Sequence, residues 1–265
     1  MNIEKVNLVY FSPTQTSKKV IQEISKKMGC ESINDFDLTL EKEPDEMKFG
    51  ENELTIFGVP VYAGRVPPEA KRRVESVSAT GSPAVVMVSY GNREYEDALL
   101  ELKDIVEARG FKAIAGCAFI GEHSFSTENK PIAPGRPDEK DLDAAAGFAA
   151  EIRQKLDNLK SVEGYAGLKV PGNNPYKDLK EMKGITPVTR EEDCTLCNEC
   201  AEVCPTSAID AKNPQLTDGE ACIRCCACVK NCPSGARVIE HEIIMKISDW
   251  LHENFSVRKE PVLFL

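Results

Sequence analysis

Positive charge is scarce in this chain: 33 Lys and Arg stand against 43 Asp and Glu, a formal net charge of -10. That excludes non-specific binding to nucleic acid or to an anionic membrane surface, which needs clustered cations. It suits docking to a basic protein partner instead. Long apolar runs are missing, so no segment reaches the length needed to span a bilayer. Met1 to Tyr10 has neither the basic start nor the apolar stretch of a secretory signal, and the protein is expected in the cytoplasm. No G-x-G-x-x-G turn is present, which argues against a nicotinamide-type pocket. No paired acid and base and no nucleophile motif points to a particular substrate.

What the chain has is cysteine. The 265 residues contain 11 Cys, and nine of them lie between Cys194 and Cys232. In a reducing compartment such crowding reads as metal binding and not as disulfides. Cys194-x2-Cys197-x2-Cys200-x3-Cys204-Pro205 is followed 28 residues on by Cys222-x2-Cys225-x2-Cys228-x3-Cys232-Pro233. Thr189 matches Thr217, Glu192 matches Glu220 and Ala208 matches Ala236 at the same offset, so the segment is an internal duplication. Three cysteines at this spacing can wrap three thiolates around one corner of a cubic cluster, and the fourth must come from elsewhere. Two zinc sites are the alternative, since CxxC pairs also bind zinc; structural zinc usually sets its cysteine pairs further apart. Cys226, next to Cys225, is expected to be a free thiol.

Residues 186–241 resemble the bacterial two-cluster ferredoxins throughout. The resemblance implies two 4Fe-4S clusters with crossed ligation: Cys194, Cys197, Cys200 and Cys232 for one, Cys222, Cys225, Cys228 and Cys204 for the other. It also implies low reduction potentials.

Residues 1–160 alternate strand and helix signals. Strands are expected at Lys5–Phe11, Glu31–Asp37, Leu54–Val59, Ala84–Tyr90 and Ala113–Ile120, with helices at about Ser17–Met28, Pro67–Val77, Glu94–Arg109 and Asp138–Leu159. That pattern predicts an α/β fold, a doubly wound sheet of five parallel strands. Ligands of such sheets sit beyond the carboxyl ends of the strands, where strand order reverses. Three loops are therefore candidates. The first is Ser12, Pro13, Thr14, Gln15, Thr16, Ser17, a hydroxyl-rich turn into a helix that suits a phosphate; a plain N-cap needs one hydroxyl, not four. The second is Pro60, Val61, Tyr62, Ala63, Gly64, Arg65, and the third is Ser89, Tyr90, Gly91, Asn92, Arg93, Glu94, Tyr95. Each of these two joins an aromatic ring to a glycine, which lets backbone approach a flat heterocycle while a ring covers it. Arg65 or Arg93 would face the charge of a reduced flavin or hold a surface carboxylate.

With these loops the chain resembles flavodoxin over about residues 3–160, and the resemblance implies FMN in the three loops. It departs at Gln15, where glycine is common, and at Ser17, where threonine is usual. The whole order resembles the flavodoxin-ferredoxin fusion proteins of anaerobic prokaryotes, as do Gly121-Glu122-His123-Ser124 and Gly135-Arg136-Pro137-Asp138. His123 is read as a structural residue or one that titrates near neutral pH.

Residues 161–185, rich in Gly, Pro and Asn, read as a linker. After the cluster segment, 242–265 is expected to form a helix and tail. Its stripe of Ile243, Ile244, Ile247, Trp250, Leu251 and Phe255 would pack on its own chain. Pro261–Leu265 would dock within the chain or across a homodimer. The expected function is electron transfer among FMN, two clusters and soluble redox proteins. A flavin oxidoreductase acting on a small substrate, and a redox sensor or scaffold without flavin, are the alternatives.

Overall fold

A computed structural model describes residues 1–41, 43–179, 182 and 184–265. The first half alternates β1 (Lys5–Tyr10), α1 (Thr16–Lys26), β2 (Ser32–Asp37), β3 (Met47–Phe49), β4 (Glu53–Pro60), α2 (Pro68–Val74), β5 (Val77–Ala79), β6 (Ser82–Tyr90), α3 (Ala98–Ala108), β7 (Phe111–Ile120) and α4 (Glu139–Asn158). After the linker come β8 (Val188–Thr189), a 3-10 turn at Glu191–Asp193, α5 (Glu199–Glu202), β9 (Ile209–Asp210), β10 (Asn213–Thr217), α6 (Ala227–Lys230), β11 (Arg237–Val238), α7 (Glu242–Asn254) and β12 (Val262–Phe264).

The main sheet runs β12-β7-β6-β4-β1-β2. Its β1, β2, β4, β6 and β7 are the five expected strands, parallel throughout. Strand order reverses between β1 and β4, so the crevice at their carboxyl ends is where a doubly wound sheet binds its ligand. These strands were legible because a parallel sheet is buried on both faces and reads as a near-continuous apolar run; all nine residues of β6 are buried. Side chains alternate across the sheet. Val9, Phe57, Val86 and Val88 meet Ala70 and Val74 of α2 and Leu99 and Leu102 of α3 on one face. Leu8, Ile56 and Met87 meet Val20, Ile21 and Ile24 of α1 and Phe148 and Ile152 of α4 on the other.

The sheet has one strand more than expected. β12, from the C-terminal tail, pairs antiparallel with β7, setting Val262 against Ala118 and Phe264 against Gly116. The tail thus docks within its own chain, as one of the two expected placements had it. The short strands β3 and β5 also pair, parallel, outside the main sheet.

The described part of the linker is held at several points. Leu168 is buried, and Asp97 accepts hydrogen bonds from the Asn173 amide (2.8 Å), Asn173 Nδ2 (2.9 Å) and the Lys177 amide (2.7 Å). Those donors outweigh the effect of burial and hold the Asp97 carboxyl below its ordinary range. Residues 180, 181 and 183 of the expected linker lie outside the described residues.

Of the α7 stripe, Ile244 and Leu251 are buried, while Ile243 and Trp250 remain 48% and 46% exposed. Among the described residues no helix is long and apolar enough to cross a membrane.

Candidate functional site

Left-handed backbone does the first work at the cysteines. Leu196 (φ 57°) and Asn198 (φ 66°) separate the first three, and Arg224 (φ 57°) and Cys226 (φ 59°) separate their counterparts. These positions correspond at the 28-residue offset, so the repeat copies a backbone path even where side chains differ. Each left-handed residue turns the chain back, and successive thiols face one space.

Two cavities result. Cys194, Cys197, Cys200 and Cys232 line the first, with Leu196, Pro214 and Arg237. Cys204, Cys222, Cys225 and Cys228 line the second, with Cys226, Ile223 and Thr217. The fourth cysteine of each set comes from the other half of the repeat. Among the described residues no three His, Cys, Asp or Glu converge on a point that fits one metal ion. Each four-cysteine set lines a cavity of its own. Cys226 also lines the second cavity, but it occupies the turn position equivalent to Asn198, and its thiol donates to the Arg224 carbonyl at 3.6 Å.

Burial pushes the thiol of Cys225 up to about 12 and that of Cys228 up to about 11. A bound metal centre is what holds buried thiolates ionised in such surroundings. At Cys232 burial is outweighed by amide donors from Arg237, Ser234 and Ala236 and by the Ser234 hydroxyl, and its thiol is lowered.

The three loops of the sheet converge at the carboxyl ends of β1, β4 and β6. In the first, Ser12 Oγ accepts the Lys18 amide at 3.1 Å and its own amide donates to Thr39 Oγ1 at 2.8 Å. Ser17 Oγ pairs with Ser89 Oγ at 2.8 Å, which ties the first loop to the third. Two of the four hydroxyls, those of Ser12 and Ser17, therefore brace the loop; Thr14 precedes α1 and Thr16 opens it, where the first amides have no intrahelical acceptor. Gln15 takes the left-handed conformation at φ 61°, where the resemblance would place glycine.

In the second loop Ala63 (φ 53°) and Gly64 (φ 85°) make a tight turn closed by Tyr62 and Arg65. Arg65 is spoken for: Nε and Nη2 grip Glu101 at 2.7 Å each, and the guanidinium stacks on Tyr176 at 4.7 Å. In the third, Arg93 pairs with Glu96 at 2.5 Å. Both arginines thus hold carboxylates, though not at the surface as that alternative had it: Glu101 is buried and Glu96 half-buried. Tyr90 is a buried core residue, edge-on to Tyr95 at 5.5 Å. Asn92 is 1% exposed. Its Nδ2 donates to the Phe255 and Val257 carbonyls at 2.5 and 2.9 Å, while its buried Oδ1 has no partner.

The His123 ring lies against Gly91, where a Cβ would meet it at 2.2 Å. Burial, then the cations Arg93 and Lys230, push His123 down to about 4. It is neutral at pH 7, and Nδ1 accepts the Phe125 amide at 3.0 Å. The structural reading of His123 fits; the near-neutral titration does not.

Residues 186–242 match the 4Fe-4S dicluster domain family. The chain is a flavodoxin-like domain joined to a 4Fe-4S domain. The assignment of the first domain rests on its strand order. Its part of the chain is similar to a flavodoxin of Streptococcus pneumonia TIGR4, at 14% identity over 57% of this chain and 99% of that one, with a TM-score of 0.40. It is similar to a flavodoxin of Fusobacterium nucleatum bound to flavin mononucleotide, at 15% identity over 58% and 99%, TM-score 0.38. It is also similar to the rubredoxin oxygen:oxidoreductase of the anaerobe Desulfovibrio gigas, at 13% identity over 59% and 37%, TM-score 0.41. A comparison with curated proteins gave no match.

The iron-sulfur domain meets the flavodoxin-like domain through its second cavity. Ile223 packs on the core beside α2 and α3. Tyr62, from the second loop, has its phenol pushed well up by burial and then by the facing Cys225, Cys226 and Cys222. Arg73 of α2, 1% exposed, donates from Nη1 to the Leu38 and Thr39 carbonyls at 2.9 and 2.5 Å and from Nη2 to the Pro205 carbonyl at 2.5 Å. One side chain thereby joins the residue after Cys204 to Thr39, which holds the Ser12 amide. Lys230 of α6 reaches Glu122 Oε1 at 2.7 Å. Sequence reasoning missed Arg73, Lys230 and Arg237, because no local spacing marks contacts made across domains or between repeats.

Proposed function

We propose that the chain is an electron-transfer protein in which FMN and two 4Fe-4S clusters exchange electrons with one another and with soluble redox partners. The observation that carries this reading is Tyr62: this half-buried residue of the second loop has its phenol near Cys225, Cys226 and Cys222 of the second cavity. FMN, when bound, takes up two electrons together and gives them out singly, whereas each cluster carries one.

The Thr14 and Thr16 hydroxyls with the first-turn amides of α1 would hold the phosphate, with Ser12, Gln15 and Ser17 shaping the loop. Pro60, Val61, Tyr62, Ala63 and Gly64 would line one flavin edge, and Ser89, Tyr90, Gly91, Asn92, Arg93 and Tyr95 the other. The buried, unpartnered Oδ1 of Asn92 fits a donor there, since an orphaned acceptor costs about 1–3 kcal/mol.

The order of carriers follows from the packing. The cluster held by Cys204, Cys222, Cys225 and Cys228 would be the inner one. The cluster held by Cys194, Cys197, Cys200 and Cys232 would be the outer port, where Cys197 is exposed and Leu196 is 59% exposed. Glu191, Glu192 and Asp193 beside it give that port a negative rim for a basic partner.

Counting iron, sulfide and extracted flavin per chain in anaerobically purified protein tests the reading. About eight iron atoms and one FMN are expected. Eight iron atoms with no flavin, even after FMN is added, would reduce the N-terminal domain to a scaffold or sensor.

A further inference from the structure

Arg237 is 2% exposed, and among the described residues no carboxylate pairs with it. Its Nη1 donates to Thr189 Oγ1 at 2.7 Å, and its Nη2 to Thr217 Oγ1 at 2.7 Å, to the Pro187 carbonyl at 3.4 Å and to Cys228 Sγ at 3.8 Å. The buried Nε has no partner. Thr189 and Thr217 are equivalent positions of the repeat, so the guanidinium lies across the duplication, held by the same residue from each half.

Arg237 belongs to both sites. Its side chain lines the first cavity beside Cys200 and bonds Cys228 of the second, and its amide bonds Cys232 of the first. Its own counterpart at the 28-residue offset is Ile209, 4% exposed and in one apolar cluster with Cys200 and Cys228. The repeat tolerates an apolar side chain here in one copy. A cation taken out of water without a carboxylate is costly unless another negative group compensates. The negative groups nearby are the two thiolate sets.

We propose that Arg237 is a fixed counter-ion between the two clusters, a positioning residue that favours their reduced forms, most strongly at the site ligated by Cys228. The inference rests on the reading that both cavities hold clusters. Reduction of a cluster adds one electron, taken from the redox partner or a chemical titrant, and makes no bond; the site becomes one charge more negative. A buried cation beside it stabilises that added charge, because little water lies between them. A guanidinium does not lose its proton in a protein, so its influence persists across pH.

The test is an anaerobic titration with dithionite, followed by electron paramagnetic resonance, on the full-length protein and on Arg237→Ile and Arg237→Lys. Shifted cysteine β-proton resonances assign each couple to its site. Arg237→Ile copies the residue of the other repeat and is expected to load both clusters. Its Cys228-site couple should fall by an amount equal to about a tenfold change in the reduced-to-oxidised ratio, about 59 mV for one electron, with a smaller fall at the other site. The offset should be the same at pH 6.5 and pH 8.5. Arg237→Lys keeps the charge and gives up the two-pronged donation; it should show a smaller fall, confined to the Cys228 site. Unchanged potentials in loaded Arg237→Ile overturn the proposal; if Arg237→Ile does not load, the neutral Arg237→Gln takes its place, and unchanged potentials there overturn it. Iron counts keep the two readings apart: wild-type protein with fewer than two clusters would defeat the two-cluster reading itself.

Discussion

Arg136 grips Asp141, a fully buried carboxylate, through Nε at 2.8 Å and through Nη2, while its Nη1 donates to the Lys259 carbonyl at 2.7 Å. The same Asp141 carboxylate accepts the Asp138 amide in the capping box that starts α4. Arg136→Ala would leave that buried charge only the longer pair with Arg258 at 3.5 Å, at a cost of about 3 kcal/mol, the low end for breaking a buried pair, read as a lower urea midpoint. His123 adds a pH dependence. Its folded value near 4 lies below the ordinary 6.5 or so, so between those values the unfolded chain binds more protons. Stability from this residue is complete above about pH 6.5 and is lost as pH falls towards 4, by at most about 3 kcal/mol. Urea titrations at pH 4 to 7 should show a shallower loss in His123→Asn than in wild type; identical slopes would remove His123 from the account. The cysteines were legible residue by residue because their spacing is the chemistry. Arg136, Asn92 and Arg73 were not, since their partners lie far away in sequence and only the fold brings them together.

Among the elements, β12 shows where periodicity falls silent. Three residues are too few for alternation to declare a strand, and β12 has an identity only beside the β7 edge it covers. The longer parallel strands announced themselves through burial on both faces. Glu94–Asp97 was expected to open α3, but the helix starts at Ala98, since Glu96 at φ 43° is left-handed and Asp97 is committed to the linker. The tail is held by more than β12: Arg258 pairs with Asp138 at 2.5 Å and Lys259 with Glu94 at 2.7 Å. Truncation after Phe255 would remove these pairs and uncover the β7 edge, an invitation to intermolecular pairing. Faster hydrogen exchange at Gly116, Cys117 and Ala118 and a rise in aggregation are expected. Unchanged exchange there would mean that β7 is protected without its C-terminal partner.

For the whole molecule, two domains legible separately in the sequence gain their meaning from how they meet. The duplication and the three loops could be read from residue types. That the second cavity, and not the first, faces the sheet could not, because the two halves of the repeat have the same cysteine spacing. The contact depends on Arg73, Lys230, Ile223 and Tyr62. Arg73→Met should leave the Leu38, Thr39 and Pro205 carbonyls without their donor, slow exchange of electrons between the domains severalfold and leave the iron count unchanged. Equal rates in the variant would show that this tether does not set the docking. On the proposed function, flavin and clusters form one internal path. Photoreduction of the flavin in anaerobic protein, with absorbance followed at flavin and cluster wavelengths, tests it most directly. Oxidation of the flavin in step with reduction of a cluster, at a rate independent of protein concentration, is the expected result; a rate proportional to concentration, or clusters that stay oxidised, would contradict it.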